Sequence, residues 1–234
     1  MRGPYSEYAA PPVYISPAGP KPGVHFSRTE LFQLTVAILA LSASFTILYI
    51  RYQLPFFFAN PAFFLSIFFP ASLLAVGTGV GLHEIMHKVV AQRYGLWAEF
   101  RYNPRGLAFA FILAAAIGFL YGAPGATWIS GGVTREQNGR ISAAGPLTNL
   151  AIATILILVS FALFSRVTSA FGDFLLSVYL VQAASVNAFL AGFNMIPIMP
   201  LDGAKVWEWN KGIYVGMALV ALGLIAFTFF GFRF

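Results

Sequence analysis

The chain has 234 residues, of which 59% are hydrophobic and only 9% are charged, and it contains no cysteine. Soluble domains carry about 25% charged residues, so this composition is typical of a membrane protein. The lack of cysteine excludes disulfides and thiolate metal sites, and a bound metal would need His, Asp or Glu ligands. The net charge of +6 comes from basic residues scattered through loops, a pattern that favours a membrane protein over nucleic-acid binding.

The N-terminal part predicts a tail followed by a membrane-spanning helix. Residues 1–26 hold six prolines and no apolar run, which indicates a flexible cytoplasmic tail rather than a cleaved signal peptide. Ser27 and Glu30 have the spacing of a capping box, ahead of an apolar stretch that runs to Ile50. Such a stretch is long enough to cross a bilayer.

The second predicted helix begins at Asn60-Pro61, an N-cap residue followed by proline at the first helical position. Its apolar pattern continues to about Ala91, and Pro70 inside it predicts a kink. Lys88, near the end of the helix, is expected to snorkel towards the membrane interface.

The middle of the chain contains shorter apolar and alternating segments, which are interrupted by glycine. Residues 96–102 alternate as a short interfacial strand does, and residues 127–140 read as strand and loop. Between them, residues 106–122 are apolar but short and bounded by glycine. Three further membrane spans are predicted at about 141–165, 173–196 and 212–231.

These segments predict an all-α polytopic membrane protein with about five full transmembrane helices. A re-entrant or short apolar segment at 106–122 and a small interfacial β element complete the expected fold. Residues 27–234 would form a single membrane-embedded domain, with the core motifs inside residues 61–203.

A His-Glu-x-x-His motif, formed by His83, Glu84 and His87, ends the second helix. Positions i and i+4 share a helix face, so both histidines can reach one metal ion, and the adjacent glutamate can take a proton from a water activated there. A pair of packed histidines with a coincidental glutamate is the alternative. An ionised carboxylate in a membrane helix costs roughly 2.5–3.5 kcal/mol, which favours the metal site.

Two histidines leave a catalytic zinc site one protein ligand short. Asp202 is the best candidate for the third, because Pro197 and Pro200 break the preceding helix and Gly203 permits a tight turn that could aim the carboxylate. The alternative is an ordinary interfacial turn in which Asp202 is solvated.

Three motifs of the chain together resemble the site-2 protease family of intramembrane zinc metalloproteases. The His-Glu-x-x-His motif comes first, the run Ala144-Gly145-Pro146-Leu147-Thr148-Asn149 is similar to the family's Ala-Gly-Pro-x-x-Asn motif, and Leu-Asp-Gly follows Asn-x-x-Pro. Their order over residues 83–203 makes the resemblance specific. The chain departs from many members in the apolar segment 106–122, and it has no recognisable PDZ or CBS domain.

The resemblance implies an activity and a role for each residue. Zinc would be bound by His83, His87 and Asp202, and Glu84 would act as the general base. Asn194 would steady the oxyanion or the substrate backbone. The implied substrate is a membrane-spanning protein, cleaved within or beside the lipid bilayer to release a membrane-tethered signalling protein.

Asn149 is carried over from the resemblance less firmly, as a substrate-binding residue. Its motif can equally serve helix packing through Gly145.

The depth of the polar residues predicts how the helices run. His83 lies 22 residues after Pro61, and Asn194 lies 21 residues after Asp173, so each is roughly 32 Å from its helix start. The two groups share a depth only if both helices run in the same direction. Segment 106–122 must then enter and leave the membrane on one side.

The basic residues support the same topology. If segment 106–122 does not cross, eleven of the 14 Lys and Arg residues lie on the side of the N-terminus, whereas nine do so if it crosses. The positive-inside rule then places the N-terminus and the zinc site towards the cytoplasm, most simply at the cell membrane.

Two other functions are the alternatives to proteolysis. A membrane metal transporter would also place His and Asp in helices, but transporters spread polar positions along a path and often repeat their architecture, and no repeat is visible here. A catalytically inactive membrane scaffold would have no need of Glu84.

Overall fold

The structure is a computed structural model that describes residues 23–118 and 124–231. Within these ranges the elements follow in chain order: α1 (Arg28–Tyr52), α2 (Leu54–Ala59), α3 (Pro61–Arg93), β1 (Trp97–Tyr102), α4 (Pro104–Ile117), β2 (Gly125–Ser130), α5 (Arg135–Phe164), α6 (Ala170–Asn194), α7 (Asp202–Trp209) and α8 (Lys211–Phe230). Five of the described helices are long and apolar enough to cross a membrane: α1, α3, α5, α6 and α8. The prediction of a polytopic helical membrane protein is confirmed.

Side-chain caps fix several helix starts. Ser27 accepts a hydrogen bond from the backbone N–H of Glu30, as an N-cap residue does, and Asn60 caps α3 in the same way. The Glu30 side chain does not complete a capping box. It turns inward instead, where its carboxylate is buried beside Lys88.

Helix α3 is not uniform along its length. Pro70 lies inside α-helical backbone, and the departure from α-helical geometry comes later, where Gly77–Gly81 form a π-helical turn. Helix α6 contains a similar π-helical turn at Ser177–Val181. Such turns occur often at functional sites, and the one in α3 ends just before His83.

Helices α1 and α5 both run antiparallel to α3. Near one end of the α1–α3 pair Glu30 contacts Lys88, and farther along Thr46 donates to Ser72 at 3.2 Å. On the other side of α3, the Asn149 amide of α5 reaches the carbonyl oxygen of Gly79, whereas the earlier residue Ile141 lies beside His87.

Helices α3 and α6 run parallel, as the depth of their polar residues predicts. The rings of Phe63 and Phe171 lie 6.3 Å apart near the start of both helices. Farther along both helices, Nδ2 of Asn187 donates to Oγ1 of Thr78 at 2.9 Å. Residue numbers therefore rise together along the contact, and the ends of the two helices lie at the same level.

The segment between the strands enters and leaves at one level. The backbone N–H of Asn103 donates to the carbonyl oxygen of Pro124 at 2.8 Å, beside the start of α1, where Tyr102 N–H donates to Gln33. Helix α4 itself has 14 residues and extends along α1. Near the end of both helices, the Arg51 side chain donates to the carbonyl oxygen of Ala115. The two ends of the segment therefore lie at one level, as the prediction of a re-entrant segment at 106–122 requires, whereas residues 119–123 lie outside the described ranges.

Strands β1 and β2 form a two-stranded antiparallel sheet at the end of the bundle where α1 begins. Ala98 and Phe100 are buried on its inner face, whereas Trp97 and Trp128 are exposed on its outer face. The sheet confirms the predicted β element and covers the end of α3 that carries the His-Glu-x-x-His motif, to which Thr127 is hydrogen-bonded.

Candidate metal centre

Two histidines lie one helical turn apart near the end of α3. His83 and His87 are both buried, and their Nε2 atoms are 3.0 Å apart. This separation is what the i, i+4 spacing on one helix face predicts.

Hydrogen bonds at the Nδ1 atoms fix both imidazole rings. Nδ1 of His83 donates to Oδ1 of Asn149 at 2.8 Å, and Nδ1 of His87 donates to the carbonyl oxygen of Ile141 at 2.7 Å. The Asn149 amide is oriented in turn, because its Nδ2 donates to the carbonyl oxygen of Gly79 at 2.8 Å. Since each Nδ1 carries the proton of its ring, each Nε2 presents a lone pair to the other.

Asp202, the first residue of α7, joins the two histidines. Its Oδ2 atom lies 3.3 Å from Nε2 of His83 and 3.1 Å from Nε2 of His87. Gly203 is needed beside it, because a Cβ there would lie 2.4 Å from the backbone of Met195.

Two lone pairs and a carboxylate oxygen that face one another need a positive charge between them. The three ligand atoms of His83, His87 and Asp202 lie within 4.8 Å of one another. Tetrahedral zinc with bonds of about 2.0–2.1 Å separates its ligand atoms by roughly 3.3 Å, close to the distances here. The set fits zinc, and three protein ligands leave the fourth position open.

Gly145 of α5 provides the space for this arrangement. A Cβ at this position would lie 2.5 Å from Nε2 of His87 and 2.6 Å from Nε2 of His83. The glycine of the Ala-Gly-Pro motif therefore faces the imidazoles directly. Asn149, one turn farther along α5, orients His83.

Glu84 lies beside the histidines and turns towards strand β2. Its Oε2 atom accepts hydrogen bonds from the backbone N–H and from the hydroxyl of Thr127, both at 2.9 Å. The hydroxyl also lies 3.0 Å from the carbonyl oxygen of Glu84. The strand thus holds a carboxylate of the helix that carries the histidines.

A cavity of about 610 Å³ brings these residues together. Its wall is formed by the end of α3, strand β2, the start of α5, the end of α6, the turn before α7 and Lys205 of α7. Asn194 lines the cavity, but its Nδ2 donates to the carbonyl oxygen of Leu190 at 2.9 Å. Every residue predicted for the site therefore lines the cavity or, as Asn149 does, contacts a residue that lines it.

Sequence reasoning missed two contributors to the site. Ile141 acts through its backbone carbonyl, which any residue could supply, so no side-chain signal exists. Thr127 reaches Glu84 only because β2 pairs with β1 in one register, with Thr127 opposite Phe100. A strand–helix contact of this kind has no signature in spacing.

Comparisons with known proteins agree with this geometry. The family model of peptidase family M50 matches residues 71–214. A protein of Methanocaldococcus jannaschii named "Putative zinc metalloprotease MJ0611" is 38% identical over 206 residues, which cover 88% of this chain and 97% of that protein. "Zinc metalloprotease MJ0392" of the same organism is 29% identical over 143 residues, which cover 60% of this chain and 34% of that protein. No solved structure matches the chain.

The matched region contains both histidines, Glu84 and Asp202. It spans more than half of the chain, and the first relative is similar over nearly its whole length. With five described helices long and apolar enough to cross a membrane and a His-His-Asp group able to hold a metal ion, the chain belongs to peptidase family M50, the site-2 protease family, and is a membrane zinc metalloprotease.

Proposed function

We propose that the chain is an intramembrane zinc metalloendopeptidase that hydrolyses peptide bonds of membrane-spanning proteins. One observation carries the proposal: Nε2 of His83, Nε2 of His87 and Oδ2 of Asp202 face one another beside the ends of two parallel membrane helices. The carboxylate of Glu84 lines the same cavity.

The proposed ligands are His83, His87 and Asp202, with a zinc ion as the cofactor. When bound, zinc supplies Lewis acidity to the scissile carbonyl and to the attacking water. Asn149 and the Ile141 carbonyl hold the imidazoles with their Nε2 atoms turned inward. Because Asn149 is fully buried and uses both amide atoms, we assign it this orienting role rather than a contact with substrate.

Proton transfer falls to Glu84. Its carboxylate accepts a proton from the attacking water and passes that proton to the nitrogen of the leaving amine, so one group serves as base and then as acid. Asn194 can donate a hydrogen bond to the developing oxyanion or to the substrate backbone. To do so, it must first release the carbonyl oxygen of Leu190.

The substrate has to be unwound before it is cut, because the carbonyl groups of a helix are hydrogen-bonded and shielded. Strand β2 borders the cavity through Gly125, Ala126, Thr127 and Ile129. We propose that an unwound substrate segment adds to its free edge as a further strand. The apolar residues Ile198 and Met199, which also line the cavity, would contact its side chains.

The proposed orientation follows from the helix directions and the charges. The start of α1 and the end of α3 lie at the same level. The topology predicted from the sequence places most Lys and Arg residues on that side of the membrane. We propose that this side faces the cytoplasm, with residues 1–26 as a tail and residues 27–234 as one membrane-embedded domain.

The first test concerns catalysis. Glu84→Gln should abolish cleavage of a single-span substrate by the purified protein and leave bound zinc unchanged, because the glutamate is not a ligand. Cleavage by the variant at the wild-type rate would remove Glu84 from the mechanism. Zinc uptake by vesicles that contain the variant would favour a metal transporter instead.

A second test concerns the ligands. Asp202→Ala should reduce bound zinc to a minor fraction, because two histidines alone hold zinc weakly. Metal analysis measures the effect, and Asp173→Ala, at an exposed carboxylate near the start of α6, is the control. Unchanged zinc in the Asp202 variant would show that Asp202 is not a ligand and belongs to an ordinary turn.

A further inference from the structure

The carboxylate of Glu84 is held by a residue of strand β2 rather than by its own helix. Thr127 offers it two donors, the backbone N–H and the hydroxyl, and both lie 2.9 Å from Oε2. These are charge-assisted hydrogen bonds to an ionised acceptor, which are about twice as strong as neutral ones. Thr127 is half-buried and lines the cavity beside Glu84.

The backbone N–H of Thr127 lies on the free edge of the sheet. In β1, the N–H groups of Phe100 and Tyr102 donate to Glu30 and Gln33, and so point away from β2. The pairs Phe100–Thr127 and Tyr102–Gly125 are therefore the non-hydrogen-bonded pairs of the ladder. It follows that the N–H of Thr127 points away from β1, into the cavity.

This geometry creates a competition at a single donor. A substrate strand added to the free edge of β2 would need the N–H of Thr127 for one of its carbonyl groups. In the structure that donor is bonded to Glu84. The hydroxyl of Thr127 lies 2.9 Å from Oε2 and 3.0 Å from the carbonyl oxygen of Glu84. With its single proton turned to Oε2, the hydroxyl can keep the carboxylate in place when the N–H is given up.

We propose that Thr127 is a positioning residue for Glu84, and that it passes its backbone N–H from Glu84 to the substrate strand while its hydroxyl keeps the carboxylate in place. The inference rests on the proposed function. It connects the docking of substrate on β2 to the placement of the group that moves the proton.

The kinetic test uses variants that separate the hydroxyl from the shape of the side chain. Thr127→Val keeps the shape and the backbone N–H but removes the hydroxyl, Thr127→Ala removes the hydroxyl with less bulk, and Thr127→Ser restores it. The matched control is Ser130→Ala, which removes an exposed hydroxyl from the same strand, outside the cavity. Wild type and Glu84→Gln are assayed in parallel on one single-span substrate in detergent.

We expect Thr127→Val and Thr127→Ala to lower kcat by roughly 10- to 100-fold, the effect of losing one hydrogen bond to a charged group. KM, bound zinc and Tm should stay near the wild-type values, and Thr127→Ser should recover most of kcat. An unchanged kcat in Thr127→Val, a loss of zinc or Tm that accompanies the fall, or a serine variant as slow as the valine variant would overturn the inference. Wild-type protein that cleaves nothing would overturn the proposed function as well.

Amide hydrogen exchange tests the contact without catalysis. In the substrate-free protein, Glu84→Ala should speed exchange of the Thr127 amide, because the N–H loses its acceptor, and Ser130→Ala should leave that exchange unchanged. Equal exchange in wild type and Glu84→Ala would show that the N–H is not held by Glu84, and the inference would fail.

Discussion

At Gly145 the proposed zinc site depends on the lack of a side chain. A Cβ there would stand within 2.7 Å of atoms of both imidazole rings. Real Cβ atoms do not approach other atoms so closely, and the rings cannot retreat because Asn149 and the Ile141 carbonyl hold their far sides. The Ala-Gly-Pro-x-x-Asn motif thus acts on the histidines in two ways: Gly145 leaves space for the rings, and Asn149 orients His83.

Gly145→Ala should therefore displace the imidazoles. We expect bound zinc to fall and cleavage to drop by at least about tenfold, since overpacking of this kind forces side chains or backbone to shift. The matched control is Gly216→Ala in α8, where a Cβ meets nothing within 4 Å. Wild-type zinc content in the Gly145 variant would contradict the proposed role of this glycine.

The sequence predicts part of the site at this scale, for reasons that can be named. His83 and His87 are predictable because one helix determines their separation. Asp202 is predictable as a candidate because proline and glycine surround it, although its distance to the histidines needs the packing of α7 against α5. The hydrogen bond from Thr127 to Glu84 depends on tertiary structure alone.

Among the elements, the directions of α3 and α6 are the feature best predicted from the sequence. Their parallel direction follows from counting residues from each helix start, because helix rise is constant. The same count requires a re-entrant segment between the strands, and the bond from Asn103 to Pro124 is what such a segment needs. The π-helical turns have no comparable signal, and neither do the final helix bounds, which differ from the predicted ones by a few residues.

Lys88 shows where reasoning from one element fails. A lysine near the end of a membrane helix is expected to snorkel to the interface, yet Lys88 is buried against Glu30 of α1. Glu30 also accepts the backbone N–H of Phe100, so one carboxylate joins α1, α3 and β1 next to the zinc site. An inward ion pair of this kind becomes visible only when the partner helix is placed.

Breaking this buried pair should destabilise the fold. We expect Glu30→Gln or Lys88→Met to lower the free energy of unfolding by about 3–5 kcal/mol each, because the remaining charge or polar group is left without its partner. The double variant should lose less than the sum. Denaturant unfolding in detergent measures the effect, and Glu136→Gln, in an exposed pair with Arg140, is a control with a far smaller effect. Additive losses would show that the two side chains do not interact.

At the scale of the whole molecule, the functional groups collect at one end of the bundle. The start of α1, the end of α3, the start of α5 and the end of α6 all meet there, together with the sheet and α7. All four tryptophans belong to that end, two on the sheet and two in α7. Tryptophan is enriched at the membrane interface, which supports a zinc site close to one surface of the bilayer.

Because the chain has no cysteine, single-cysteine variants can test this topology. Val133→Cys lies just before α5 at the end of the site, and Thr168→Cys lies between α5 and α6 at the opposite end; both positions are exposed. In intact cells, an impermeant maleimide should label Thr168→Cys and leave Val133→Cys unlabelled until the membrane is opened. Labelling of both variants from outside would contradict the proposed orientation.

The backbone hydrogen bond between Asn103 and Pro124 bears on which changes in sequence the protein can tolerate. Since the stretch between these two residues begins and ends at one level, insertions or deletions inside it leave the direction of every later helix unchanged. The length and sequence of this segment, and with them the surroundings of an incoming polypeptide, can therefore change in evolution without inverting the later spanning helices α5, α6 and α8 or separating the histidines from Asp202.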